Sequence, residues 1–301
     1  MESYITHIST AVLFAEGFLG MTINMIIVAI QFLRWKTVTS LEICDKIITC
    51  LGVSRSLLMA NILFAYFMRT YGPWVMGSLF FNLSTLLVGM LLHSAELWIT
   101  TVLCVFYCVK ISQYSHQLLI LMKSRISILV PRFIVASLII SLASSIPVIQ
   151  YGLVLHSYNS SIGLPCNVTE NNADVEFAFL AQIFIFFLGS LLPFLLLCSA
   201  MYLLLRSLWM HIGKMKNIGA SFQHPNLEAH FAVVKSLILF LLSQVIIFVC
   251  MLFILVYIVH FDSPLRLWMF IIRCAPPLLH SAHLLCYNPN LRQAFIKHIR
   301  V

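Results

Sequence analysis

Long apolar runs alternate with short polar breaks along the 301 residues, and the runs are too long for the strands or helices of a water-soluble core. Seven of them fall at about 8–33, 43–67, 79–107, 126–150, 177–205, 231–259 and 264–286. Each reaches the roughly 20 residues that a helix needs to cross a hydrocarbon layer about 30 Å thick. Backbone polar groups in lipid must be bonded within their own segment, so such runs predict helices. The expected fold class is an all-α membrane protein, a seven-transmembrane helix bundle forming a single domain over 1–301. The polar breaks, among them RWKTVTSLE, MRTYGPWVMG and HFDSP, contain no repeat, low-complexity tract or linker.

Composition agrees with the pattern. Hydrophobic residues make up 61% of the chain and charged residues 9%, with a mean hydropathy of +0.99, too few charges to cover a soluble globule. The opening MESYITHIS lacks a basic start, so the first span is expected to act as its own uncleaved signal. Charge sets the expected orientation, because basic residues in short loops stay cytoplasmic. With the amino terminus outside and the carboxy terminus cytoplasmic, fourteen lysines and arginines lie inside against Arg69 and Arg266 outside, and Arg55 and Arg273 lie within spans. The net charge of +8 is thereby a matter of topology and of attraction to anionic lipid, with no nucleic-acid partner implied.

The break between the fourth and fifth spans carries Glu170, Asp174 and Glu176, no Lys or Arg, and the sequon Asn167-Val168-Thr169. An outside location suits both features, and Asn167 is the expected glycosylation site. Asn159 also heads a sequon there, while Asn82 lies too near the membrane. Cys166 is in the same loop, but the start of the third span, MGSLFFNLST, offers it no partner. A pairing with Cys274 is open. The remaining cysteines read as free thiols packed in the bundle.

Ionisable residues inside spans are costly and mark functional hypotheses. Gly89, His93, Glu96 and Thr100 recur at helical spacing and share one face of the third span, so His93 and Glu96 could pair, which would place a switchable charge in a cavity. The competing reading is a buried pair that touches no ligand. Arg273 has three open roles: pairing with Glu96, meeting an acidic group on a ligand, or snorkelling to the outer interface. By position in the outer halves of their spans, Tyr66, Met90, Gln182, Phe186, Met251 and Phe270 are further ligand-binding candidates. His280 and His283 stand three apart without a carboxylate or thiolate nearby in sequence, so no metal site is expected. The absence of GxxxxGK[ST], GxSxG and HExxH gives no support to an enzyme, and no cofactor is implied. The seventh span has no lysine, which excludes a retinal Schiff base.

Six short motifs, in order, carry a family resemblance. They are EGFLGMTINMII with Glu16, Gly20 and Asn24; DKIITCLGVSR with Asp45 and Arg55; FYCVKIS; LLPF followed by RSLWMHIGKM; HPNLEAHFAVVK; and HSAHLLCYNPNLRQA. Together they resemble the type 2 (bitter) taste receptors along nearly the whole chain, with Gly52 in place of a family Ala and His224 in place of a family Asp. Vomeronasal type 1 receptors share the broad architecture and are the nearest alternative. A small transporter is a more distant one, since neither inverted repeats nor broken midplane helices are evident.

The resemblance implies a multi-pass plasma-membrane G-protein-coupled receptor that detects bitter small molecules in an outer-half helical pocket. It further implies activation of a heterotrimeric G protein with a gustducin-like α subunit, then phospholipase C and calcium. In place of the acid-arginine-tyrosine triplet of rhodopsin-like receptors, Tyr107 and Lys110 would face the cytoplasmic cavity, with Arg206, His211, Lys214, Lys216, His230 and Lys235 around the same opening. Lys110 alone reads as a snorkelling interface residue. Arg55 stands where rhodopsin-like receptors hold a sodium-binding Asp, and its charge would repel that ion. The resemblance assigns it a structural polar core with Asn24 and Ser281, supported by Asn288-Pro289. His93 matches a family pocket Asn and Gly89 a common pocket Trp, whose loss would deepen the site; Ile247 stands where many members carry Tyr. Agonist identity and oligomeric state, whether homo- or hetero-oligomer, stay open.

Overall fold

The computed structural model describes residues 2–37, 42–72, 78–111, 117–147, 180, 183, 184, 186–218, 225–256, 264–287, 291–293, 295 and 296. Among these, seven long helices are present and no strand: α1 (Glu2–Thr37), α2 (Ile43–Tyr71), α3 (Leu79–Ile111), α4 (Ile126–Ser145), α5 (Leu192–Ile218), α6 (Pro225–Val256) and α7 (Pro264–Tyr287). A short helix, Gln117–Ser124, precedes α4, and a π-helical turn, Phe187–Leu191, leads into α5. Six of the long helices are long and apolar enough to cross a membrane along their described lengths, and α6 contributes a shorter apolar stretch, Leu237–Cys250.

Several helices outrun the apolar spans that predict them: α1 continues to Thr37, α2 to Tyr71 and α3 to Ile111. Hydropathy registers only the part in hydrocarbon, whereas the backbone ladder persists into water when nothing breaks it. Arg34 and Lys36 in the last turn of α1, and Lys110 in that of α3, suit the negative end of the helix dipole. In the fourth span α4 runs to Ser145, with a turn at Ile146, and residues 148–150 of the expected span lie outside the described residues.

The bundle is assembled by neighbour packing of α1 on α2 and α7, of α2 on α3, of α3 on α4 and α5, and of α6 on α5 and α7. One apolar core joins Ile27 and Ile30 of α1, Ile47, Ile48 and Leu51 of α2, and Ile99, Leu103 and Phe106 of α3. A second joins Leu97 and Cys104 of α3 with Leu197, Met201 and Leu204 of α5 and Phe240 of α6. Large apolar side chains such as Phe18, Phe64, Ile139, Leu195 and Leu239 face outward, as lipid contact requires.

Prolines are accommodated through neighbouring helices. In the π turn Leu192 N–H bonds the Phe187 carbonyl, five residues back. The next bond of that ladder would need an N–H on Pro193, which has none. The indole Nε1 of Trp98 on α3 donates to the stranded Leu188 carbonyl at 3.1 Å instead, and Thr101 Oγ1 donates to the Pro193 carbonyl at 2.9 Å. Gly189 lies in this junction, where a Cβ would meet Ser144 Oγ at 3.4 Å and Ser94 Oγ at 3.5 Å, ordinary contact distances. In α7, Pro276 and Pro277 withdraw the ladder donors from the carbonyls of Ile272 and Arg273.

Candidate functional site

At mid-bundle the Arg55 guanidinium draws four helices together. Its Nε donates to Glu96 Oε1 of α3 at 2.9 Å, with side-chain exposures of 1% and 7%. Its Nη1 donates to His280 Nδ1 of α7 at 2.8 Å and to Ser281 Oγ at 3.3 Å. Ser281 Oγ in turn donates to Asn24 Oδ1 of α1 at 2.9 Å, and Asn24 Nδ2 to the Gly20 carbonyl at 2.8 Å. A guanidinium can only donate, so His280 Nδ1 is the accepting nitrogen and its ring proton sits on Nε2. Phe240 of α6 packs on the same ring at 4.5 Å between centroids. The missing side chain of Gly52 permits close approach of α1 and α2, as a Cβ would lie 3.0 Å from Val28 Cγ2 and 3.4 Å from the Asn24 carbonyl.

The structure thus brings together Asn24, Arg55 and Ser281, which the sequence groups, and adds Glu96 and His280, which it does not. The expected His93–Glu96 pair is corrected. Glu96 is committed to Arg55, because a charge-assisted bond to a guanidinium outcompetes one to an imidazole a helical turn away. His93, 3% exposed, has no hydrogen-bond partner for Nδ1 among the described residues. Arg273 is 8% exposed, and its Nη2 is buried without a partner among the described residues. Burial removes the snorkelling role, and neither described ion pair within 4 Å includes Arg273.

Other ligand-binding candidates divide between two places. Tyr66 turns to α1, with its hydroxyl 3.1 Å from Thr10 Oγ1 and its ring edge-on to Phe14 at 6.1 Å. Phe270 packs partly buried in the same cluster, against residues such as Leu13, Met59 and Ile271. On the Cβ side of Gly89 a Cβ would stand 3.1 Å from Asn61 Nδ2 of α2, whose amide reaches the Thr85 carbonyl at 3.3 Å. A neighbour's amide thus takes part of the space beside Gly89. Met90 is half-buried and Ile247 is buried. Between α5 and α6, Phe186 meets Phe248 at 5.7 Å, and Phe248 stacks on Phe194 at 4.2 Å with 4° between planes. Phe248 escaped the sequence reading, although its aromatic ring next to Ile247 was the available signal. Gln182 and the side chain of Met251 lie outside the described residues.

Among the coupling candidates, Lys110 and Arg206 are exposed, with Lys110 Nζ 5.6 Å from the Phe106 ring centroid. Tyr107 is half-buried and its hydroxyl lies 3.3 Å from Cys44 Sγ of α2, so it braces two helices. His211, Lys214 and Lys216 ride on α5, and His230 and Lys235 on α6; their side chains lie outside the described residues, as do Asn159, Cys166, Asn167, Asn288 and Pro289. Cys274 is a buried free thiol. An unforeseen clasp joins α1 to α2: Arg34 Nη1 lies 3.0 Å from Asp45 Oδ2, and Gln31 Nε2 donates to Asp45 Oδ1 at 3.0 Å. Among the described residues, no group of three or more His, Cys, Asp or Glu is placed to hold a metal ion.

Known proteins agree along the whole length. Residues 1–301 match the family described as taste receptor protein (TAS2R). The chain is similar to taste receptor type 2 member 102 of Mus musculus, 26% identical over 314 residues that cover 100% of this chain and 90% of the relative. It is 29% identical to member 119 of the same species, covering 95% of this chain and 83% of the relative. It is also 29% identical to member 40 of Gallus gallus, covering 85% and 82%. With a seven-helix fold, a buried polar junction at its centre and this match end to end, the chain belongs to the taste receptor family (TAS2R), the bitter-taste G-protein-coupled receptors of the plasma membrane, and is a receptor and not an enzyme.

Proposed function

We propose that this receptor lies with its amino terminus outside, binds bitter small molecules in the outer half of the bundle among α3, α5, α6 and α7, and activates a gustducin-type heterotrimeric G protein, leading to phospholipase C and calcium release. The single observation carrying this reading is the Arg55 junction, which ties α1, α2, α3 and α7 at one level. Ligand-binding candidates His93 and Arg273 lie on the amino-terminal side of that level along α3 and α7, and coupling candidates Tyr107 and Lys110 on the carboxy-terminal side along α3. A tied midpoint lets a rearrangement at one end be felt at the other, provided that agonist binds the two arrangements with different affinity. The exposed basic side chains of Lys110 and Arg206 suit a partner surface rich in carboxylates.

The test is intracellular calcium in cells that co-express this chain and a gustducin-type chimeric α subunit, across a panel of bitter compounds. The reading expects a response that His93→Ala weakens at normal surface expression, and that Lys110→Ala abolishes while agonist binding persists. Silence across the panel with the receptor verified at the surface would overturn the ligand class.

A further inference from the structure

Arg273 and His93 are buried polar side chains that the junction does not use. Arg273 stands seven residues before His280 on α7, roughly 10 Å along the axis on its amino-terminal side. His93 stands one turn before Glu96 on α3 and lies within electrostatic reach of Arg273. Both are almost wholly buried, with Arg273 Nη2 and His93 Nδ1 lacking partners among the described residues.

A guanidinium inside a membrane protein is stabilised by reaching the interface, by a carboxylate or a backbone carbonyl of the protein, or by something that binds. The first is closed by burial. For the second, the acidic side chain among the described residues whose charge reaches Arg273 is Glu96, and Glu96 already holds Arg55 at 2.9 Å. Glu16 of α1 is a rival counter-ion, since its Oε2 lacks a partner and its charge reaches Cys274, but no described ion pair within 4 Å joins it to Arg273. The third remains.

We infer that the outer pocket takes a small organic anion, a carboxylate or sulfonate seated on Arg273 with His93 beside it. This rests on the outer-pocket reading above and names the ligand class. The chemistry favours an anion on two grounds. A planar guanidinium fork matches two oxygens of one acidic group, with bonds stronger than those to neutral acceptors. A cationic ligand would instead meet Arg273 with Glu96 already neutralised. When Nδ1 of His93 carries the ring proton, it adds a third donor to the same group.

Purified full-length receptor in detergent micelles supplies the test, with melting followed by a maleimide dye that reacts as buried thiols such as Cys104, Cys250 and Cys274 become exposed. The probes are 2-naphthoate and 2-naphthalenesulfonate against their uncharged amides, 2-naphthamide and 2-naphthalenesulfonamide. The anions are expected to raise the melting temperature, and each amide to need at least about tenfold more ligand for the same shift. Arg273→Gln should weaken the anions by at least about tenfold, with Arg273→Lys between it and the parent. Without ligand, Arg273→Gln should melt no lower than the parent, because it removes a buried charge that joins neither described ion pair; a merely structural Arg273 would give a lower melting point. Glu16→Gln should leave the anion effect in place. Equal effects of anions and amides, an undiminished anion effect in Arg273→Gln, or no shift with any probe would each overturn the inference. Anion binding without a calcium response would overturn the coupling reading alone, whereas calcium responses to neutral compounds that ignore Arg273 would overturn the anion alone.

Discussion

Arg55 of α2 and Glu96 of α3 form a 2.9 Å ion pair that is closed to solvent. Both side chains are almost wholly buried, so Glu96 depends on Arg55, and Arg55 on Glu96, Ser281 and His280.

Truncating one member strands the other. Glu96→Ala is expected to lower stability by about 3–5 kcal/mol, enough to reduce surface expression severely. Replacing both, as Arg55→Met with Glu96→Met, should recover much of the loss, since well-packed apolar residues often match a buried pair. Dye-monitored melting of the purified variants checks this, and a double variant no better than Glu96→Ala would show that the partners on α1 and α7, not the pair, dominate.

Trp98→Phe keeps the aromatic bulk and removes the donor that serves the Leu188 carbonyl above Pro193. The expected cost is about 1–2 kcal/mol, the penalty for an unsatisfied buried acceptor. In a Pro193→Ala background the backbone can supply its own N–H, so the same substitution should cost clearly less; additive losses would refute the substitution of one donor by the other.

At Gly17 of α1, a Cβ would lie 2.6 Å from Leu63 Cδ2 of α2. Gly17→Val is therefore expected to cost about 1–3 kcal/mol by overpacking. Leu63→Ala should relieve most of the clash, and a double variant less stable than Gly17→Val alone would place the problem elsewhere.

The Arg34–Asp45–Gln31 clasp has one partly exposed member, Arg34, at 22% side-chain exposure. Asp45→Asn is expected to lose about 1 kcal/mol after allowance for solvent screening. The loss should be visible as earlier melting with agonist affinity unchanged, and an affinity change of tenfold would mean that the clasp does more than hold α1 to α2.

The sequence reached far into the fold because a membrane imposes one rule, long apolar helices, on every span. It also grouped Asn24, Arg55 and Ser281, since motifs on three spans carried them. It mispaired His93 with Glu96 for an identifiable reason. Helical spacing reports which residues share a face of α3 but not which neighbouring helix presents a competing cation, and Arg55 lies on α2 at the same depth. The same blindness applies to Gly89, where Asn61 of a different helix claims part of the space that a missing side chain leaves. Tyr66 likewise reads as a pocket residue by depth alone, while its hydroxyl and ring are engaged with Thr10 and Phe14.

The π turn at Phe187–Leu191 has a consequence for how sequences of this kind are compared. Its i to i+5 closure holds one residue more than an α-helical turn, and one residue is about 100° of rotation about the helix axis. A register counted backward from Pro193 at ordinary helical spacing therefore assigns the wrong azimuth to the residues before it, Phe186 among them. Two receptors with identical side chains before the proline, one with the turn and one without, would present different residues to the same ligand.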